Sequence, residues 1–179
     1  FRTERVTLSL AETVRTREKE VWYVTMAAMP LTEDPPLGPF LNRDRQRVAQ
    51  PVLGECVVNE WLAARLNIHP GDSIEVTLFT PETKAGQIER QKVDLTVSDI
   101  VVMEEAANDP ALVPEVQGLT DKDSIADWDP PFPFDASHVT KEDEKYWEEY
   151  RATPKVFVPP EFATKYLKSR FGVTTSVRV

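Results

Sequence analysis

Cys56-Val57-Val58-Asn59-Glu60-Trp61-Leu62-Ala63-Ala64-Arg65-Leu66-Asn67-Ile68-His69-Pro70-Gly71-Asp72-Ser73-Ile74-Glu75-Val76-Thr77-Leu78-Phe79 reads as strand, helix, stop and strand. The β-branched apolar run over Val52 to Val58 predicts a strand. Asn59 follows it as an N-cap, with a side-chain oxygen able to accept an amide of the first turn. The helix is expected over Glu60 to Leu66, with Trp61, Leu62, Arg65 and Leu66 on one face. Asn67 can reach the left-handed region, Pro70 cannot continue a helix, and Gly71 permits a turn. Ile74, Val76 and Leu78 then alternate with Glu75 and Thr77, which is the period of a half-buried strand.

On either side of this unit the pattern is mixed. Val6, Leu8 and Leu10 alternate as a strand, Ala11 to Glu20 reads as a short helix or a turn, and Val21 to Met29 as a buried strand. Thr32 to Pro39 is a loop rich in proline. Downstream, Pro81 to Gly86 predicts a hairpin connection. A long strand follows over Arg90 to Met103, with a bulge at Ser98-Asp99 where the facing residues switch. Thr120 with Asp123, and Thr140 with Asp143, each have the spacing of a capping box. Helices are therefore expected from Thr120 to about Trp128 and from Thr140 to Pro154. Lys155 to Val158 is a strand, Glu161 to Arg170 a helix ended by Gly172, and Val173 to Val179 a closing strand.

Strands and helices mix without strict βαβ alternation, which predicts an α+β fold. The expectation is a mixed β-sheet core with short helices packed on it, and a long, loop-rich acidic embellishment. The 179 residues suit one domain. Its possible sub-lobes are 1–50 (N-terminal strands), 51–103 (the strand-helix-strand-strand unit) and 104–179 (the acidic segment with its closing helix and strand).

Charge is regional. Between Glu104 and Glu149 stand 14 acidic and 3 basic residues, which exceeds the net −9 of the whole chain. Such a surface excludes nucleic acid as a partner, since phosphate binding needs lysine and arginine. No run of 18 apolar residues occurs, so no span is expected in this stretch. The chain opens Phe-Arg-Thr-Glu-Arg, without an initiator methionine or a signal peptide, and reads as a piece of something longer.

Chemistry-bearing motifs are scarce. No glycine-rich phosphate loop is present, so ATP is not expected here. His69 and His138 have no triad context. Ligand spacing for zinc is missing, and Cys56 in its apolar context reads as a buried, inert thiol. Asp121, Asp123, Asp127, Asp129 and Asp135 have the oxygens for a hard cation but not the spacing of a calcium loop, and they read as solvated surface. One run stands out as a candidate partner-binding surface: Trp128, Asp129, Pro130, Pro131, Phe132, Pro133 and Phe134. Prolines interleaved with aromatics present a stiff surface. In the competing reading, the same aromatics pin a long loop to the core.

Two blocks resemble a known family. Cys56 to Leu66 with Ile68, Pro70-Gly71-Asp72 and Ile74-Glu75-Val76 is similar to the extracytoplasmic domain of FtsX/MacB/LolC-type ABC transporter permeases, as is Leu95 to Val102. Trp128 to Asp135, Asp143 to Trp147 and Tyr150 to Lys155 resemble the large planctomycete-type permeases. The resemblance implies a MacB-periplasmic-core-like domain at the periplasmic face of an integral membrane protein. It implies no catalytic residue and no cofactor in this stretch, with ATP on a separate cytoplasmic ATPase subunit. Its partners would be an envelope protein, a lipoprotein, a lipid or a peptide. The Pro-Gly-Asp unit also resembles double-psi and swapped-hairpin barrels, which leaves a small β-barrel binding module of a soluble protein as the alternative.

Overall fold

The computed structural model describes residues 3–32, 34–80, 88–167 and 176–178. Strands β1 (Glu4–Arg15), β2 (Glu20–Ala28) and β3 (Glu55–Asn59) lead into helix α1 (Glu60–Leu66), followed by β4 (Ser73–Phe79) and β5 (Arg90–Val101). Helix α2 (Lys141–Tyr150), strand β6 (Val156–Val158), helix α3 (Pro160–Tyr166) and strand β7 (Ser176–Arg178) complete the order.

The hydrogen-bonded order is β2-β6-β3-β5-β4-β1, and β1 also pairs with β2 from Thr7↔Ala28 to Arg15↔Glu20. That second pairing closes the sheet. The fold is a six-stranded β-barrel, and β7 adds to the far end of β1 through Glu4↔Arg178, Arg5↔Val177 and Val6↔Ser176. Pairing is mixed: β2–β6 and β3–β5 run parallel, the other ladders antiparallel.

This closure corrects the expected α+β fold. The core is not a mixed sheet covered by helices but a barrel filled by its own side chains. Val24, Met26, Cys56, Val58, Ile74, Val76, Leu78, Val93, Leu95, Val97, Val156 and Val158 form its interior. The three described helices are short, of 7, 10 and 7 residues. Two of them pack on this core through Leu62, Ala63 and Leu66 of α1 and Phe162 and Ala163 of α3. Local periodicity reports which residues share a face, not whether the first strand meets the last.

The two kinds of strand have different outer faces. On β5 the apolar residues alternate with Lys92, Asp94 and Thr96, which are exposed to water. On β2, β3 and β6 the apolar run is continuous, because Ala27, Val57 and Phe157 face a second core outside the barrel. That core is closed by Met29, Leu31, Phe40 and Val48 from the loop after β2, and by Ala106, Ala107 and Leu112 from the embellishment. A strand covered on both sides has no polar face to show.

Several local expectations hold. Asn59 caps α1 by accepting the amide of Leu62 at 2.9 Å, and Asn67 ends it in the left-handed region at φ 53°. The register of β3 on β5 slips between Cys56↔Val97 and Val57↔Asp99, a bulge at Ser98. Thr140 and Asp143 form the complete capping box of α2. Others are corrected. Ala11 to Arg15 continues β1, and only Thr16 to Lys19 turns, with the Thr16 hydroxyl accepting the Lys19 amide at 3.2 Å. No helix forms from Thr120 to Trp128. Thr120 instead takes the Val116 amide on its hydroxyl at 2.7 Å, and only a 3-10 turn at Ile125–Asp127 follows. The predicted hairpin at 81–86 and the end of the last helix at 168–172 lie outside the described residues.

Candidate functional site: an aromatic cleft beside the barrel

The embellishment folds back on the β1–β2 hairpin through aromatic residues. Tyr23, near the start of β2, is the anchor. It holds φ 54°, which a bulky residue rarely adopts, and its hydroxyl accepts the Asp135 amide at 2.8 Å. Its ring packs on Phe134 with centroids 4.8 Å apart. Burial raises the Tyr23 phenol above its ordinary pKa. Beside it His138 stacks on Trp22 at 3.6 Å and an interplanar angle of 4°.

Trp128 is only 8% exposed and meets Trp147 edge to face, with centroids 5.0 Å apart. Phe132 stacks on Phe79 of β4 at 5.4 Å, and Phe134 lies 5.8 Å from Trp128. Asp129, Pro131 and Pro133 are exposed, and Pro130 is half-buried. The seven residues of the candidate run thus divide. Three aromatics tie the loop to the barrel, and the acidic and proline residues between them line its outer edge. The Asp129 amide bonds the Gly118 carbonyl at 2.9 Å, which fixes the run to the preceding loop.

Between hairpin and embellishment lies a cleft of about 200 Å³. Leu10 and Thr25, cross-strand partners on β1 and β2, form one wall. Val116, Leu119, Trp128 and Phe132 form the facing one. Among the described residues no charged side chain lines it. Sequence reasoning found Trp128 and Phe132 but not the hairpin wall. The signal was present in Leu8 and Leu10, half-buried residues on a strand that carries Ala11 and Val14 in the barrel core. Apolar residues on both faces of β1 require a cover over the outer one.

The remaining chemistry-bearing residues are apart from one another. Cys56 is fully buried, and burial pushes its thiol up to about 12, so it is not a nucleophile at neutral pH. His69 is exposed in its turn. Asp121, Asp123, Asp127, Asp129 and Asp135 are all exposed. Asp121 accepts the Gly118 amide, and Asp135 accepts the Ser137 amide at 2.9 Å; hydrogen bonds from the Ser137 side chain, and then from its amide, lower the Asp135 pKa. Among the described residues no three or more of His, Cys, Asp and Glu stand together as metal ligands. Among them, too, no helix is long and apolar enough to cross a membrane.

No protein-family model matches this chain, and no curated protein matches it.

Proposed function

We propose that the barrel is a non-catalytic extracytoplasmic domain of an ABC transporter permease subunit of the FtsX/MacB/LolC type. In this reading it lies at the periplasmic face and transmits motion or engages a lipoprotein, lipid or peptide. ATP binds a separate cytoplasmic ATPase subunit. The observation that carries the reading is the pairing of β1 with β7, in which Glu4 stands opposite Arg178. Segments before β1 and after β7 would leave the barrel side by side, as a domain inserted between two neighbouring membrane helices requires. The two sequence blocks that resemble the permeases support this choice of family.

A second reading keeps the barrel and drops the membrane: a binding module of a soluble protein. The closed six-stranded sheet favours it. The two readings separate on purification of the full-length protein from its own cells. The permease reading expects it in the detergent-extracted membrane fraction, with an ATP-hydrolysing subunit co-purifying, and no ATP hydrolysis by the barrel alone. Recovery from the soluble fraction without an ATPase establishes the second reading in its place.

A further inference from the structure

The aromatic cleft holds a buried indole donor that meets no acceptor among the described residues. Of the two indoles that line it, Trp147 donates to the Lys122 carbonyl at 3.1 Å. The Trp128 indole Nε1 is buried and has no acceptor among the described residues. An indole N–H is a donor only, and buried without a partner it destabilises the fold by the desolvation of that group. Among the hydroxyls of the lining, that of Thr120 is engaged at Val116, whereas that of Ser9 is buried and, like the indole, has no partner among the described residues. At about 200 Å³ the space exceeds the engineered cavity of about 150 Å³ that admits benzene.

The geometry points to a binding site for a small uncharged ligand, with an apolar body in the cleft and one acceptor oxygen on the Trp128 indole. An anion is disfavoured. Among the described residues no cation lines the cleft, and the adjoining cavity, which shares Val113, Pro114, Thr120 and Ala152 with it, carries Glu115 and Glu149 against Arg151. A carboxylate or phosphate entering there would be desolvated without a partner. A hydrocarbon fills the space but leaves the indole unpaired. A ketone, ester or ether of similar size satisfies both. The inference rests on the cleft alone and holds for either reading of the parent protein.

The test is a titration of the whole chain with cyclohexanone, cyclohexane and cyclohexanecarboxylate, read on the indole N–H resonances by NMR. The Trp128 resonance is identified by its loss in Trp128→Phe. The expected result is a saturable shift of that resonance with the ketone, and binding of the ketone weakened about three- to tenfold by Trp128→Phe while cyclohexane is unaffected. The carboxylate binds neither protein. Leu119→Trp, which fills the cleft, abolishes binding with an unchanged circular dichroism spectrum. The proposal is overturned if ketone and cyclohexane bind alike and leave the Trp128 indole unmoved, or if no probe saturates. That comparison is made on the unaltered chain, so it stands even where Trp128→Phe does not fold.

Discussion

Arg178 on β7 donates from Nη2 to Asp109 Oδ2 at 3.1 Å, joining the last strand to the embellishment across 69 residues of chain. The same guanidinium lies 3.7 Å from the Glu4 carboxylate on β1 and 3.3 Å from the Leu37 carbonyl, with its side chain 4% exposed. One cation thus connects β7, β1 and the embellishment. Removing it takes away the cation that faces the buried Glu4 carboxylate. Arg178→Met is expected to destabilise the chain by about 3 kcal/mol. Asp109→Asn, which touches the more exposed partner, is expected to lose about 1 kcal/mol. Urea midpoints of the two variants check the order, and equal small losses would argue that the cluster does not bind the ends to the embellishment.

Asn59 serves three neighbours at once. Its side-chain oxygen caps α1, and its Nδ2 donates to the Tyr146 hydroxyl at 3.1 Å, which in turn donates to the Thr153 carbonyl at 2.8 Å. Asn59→Ala therefore removes a cap and two buried bonds, the second a weak one from Nδ2 to the Met103 sulfur at 3.0 Å, for a loss of about 2 kcal/mol. Tyr146→Phe should couple to it by about 1 kcal/mol in a double-mutant cycle. Strict additivity of the two would contradict the network.

Lys155 gives a pH signature. Its ammonium lies 4.2 Å from the Tyr146 ring centroid and 5.0 Å from that of Trp61, and burial pulls its pKa down to about 8 against a smaller upward pull from Asp143. Below pH 8 both the folded and the unfolded chain carry the proton, so stability is flat. Between pH 8 and 9 the folded chain releases it and the unfolded chain keeps it, so stability rises by about 1 kcal/mol. Above pH 9 the Cys56 thiol acts oppositely, because it ionises only in the unfolded chain until about pH 12. Thermal melts should rise from pH 8 to 9 and then level, and Lys155→Met should abolish the rise. A rise that persists in the variant assigns it to another group.

Two glycines at positive φ separate strain from crowding. Gly54 sits at φ 94° with open space where a Cβ would go, so Gly54→Ala meets only the left-handed penalty of about 1 kcal/mol. Gly118 sits at φ 88°, and a Cβ there would lie 2.6 Å from the Asp129 carbonyl oxygen. Gly118→Ala must push the aromatic run off its seat. Its loss should be roughly twice as large or more, accompanied by a change in tryptophan emission that Gly54→Ala does not produce. Matching effects would show that the loop at Gly118 gives way freely.

The contrast between the two Thr-x-x-Asp sites explains what the sequence could reveal. At Thr140 the reciprocal bonds are local, so the spacing is enough to identify the helix. At Thr120 the same spacing fails because distant partners compete. Glu144 of α2 accepts from the Ser124 hydroxyl and the Ile125 and Ala126 amides, holding the segment as a turn. The unit from Asn59 to Leu78 was legible for the local reason. Barrel closure was not, since it depends on β1 meeting both β2 and β4 with a register shift between Ala11 and Thr13 that breaks the alternation around Glu12. Of the cleft, the aromatic wall was visible as Trp128 to Phe134. The hairpin wall and the unpaired indole exist only once the chain has folded back.

The proposal that this barrel lies outside the cell membrane is most directly tested by labelling spheroplasts of cells that carry the full-length gene. Glu18 is exposed in the turn between β1 and β2, whereas Cys56 is buried and unreactive. With Glu18→Cys, a membrane-impermeant maleimide applied to spheroplasts should label the protein before lysis. Labelling that appears only after lysis would contradict the account.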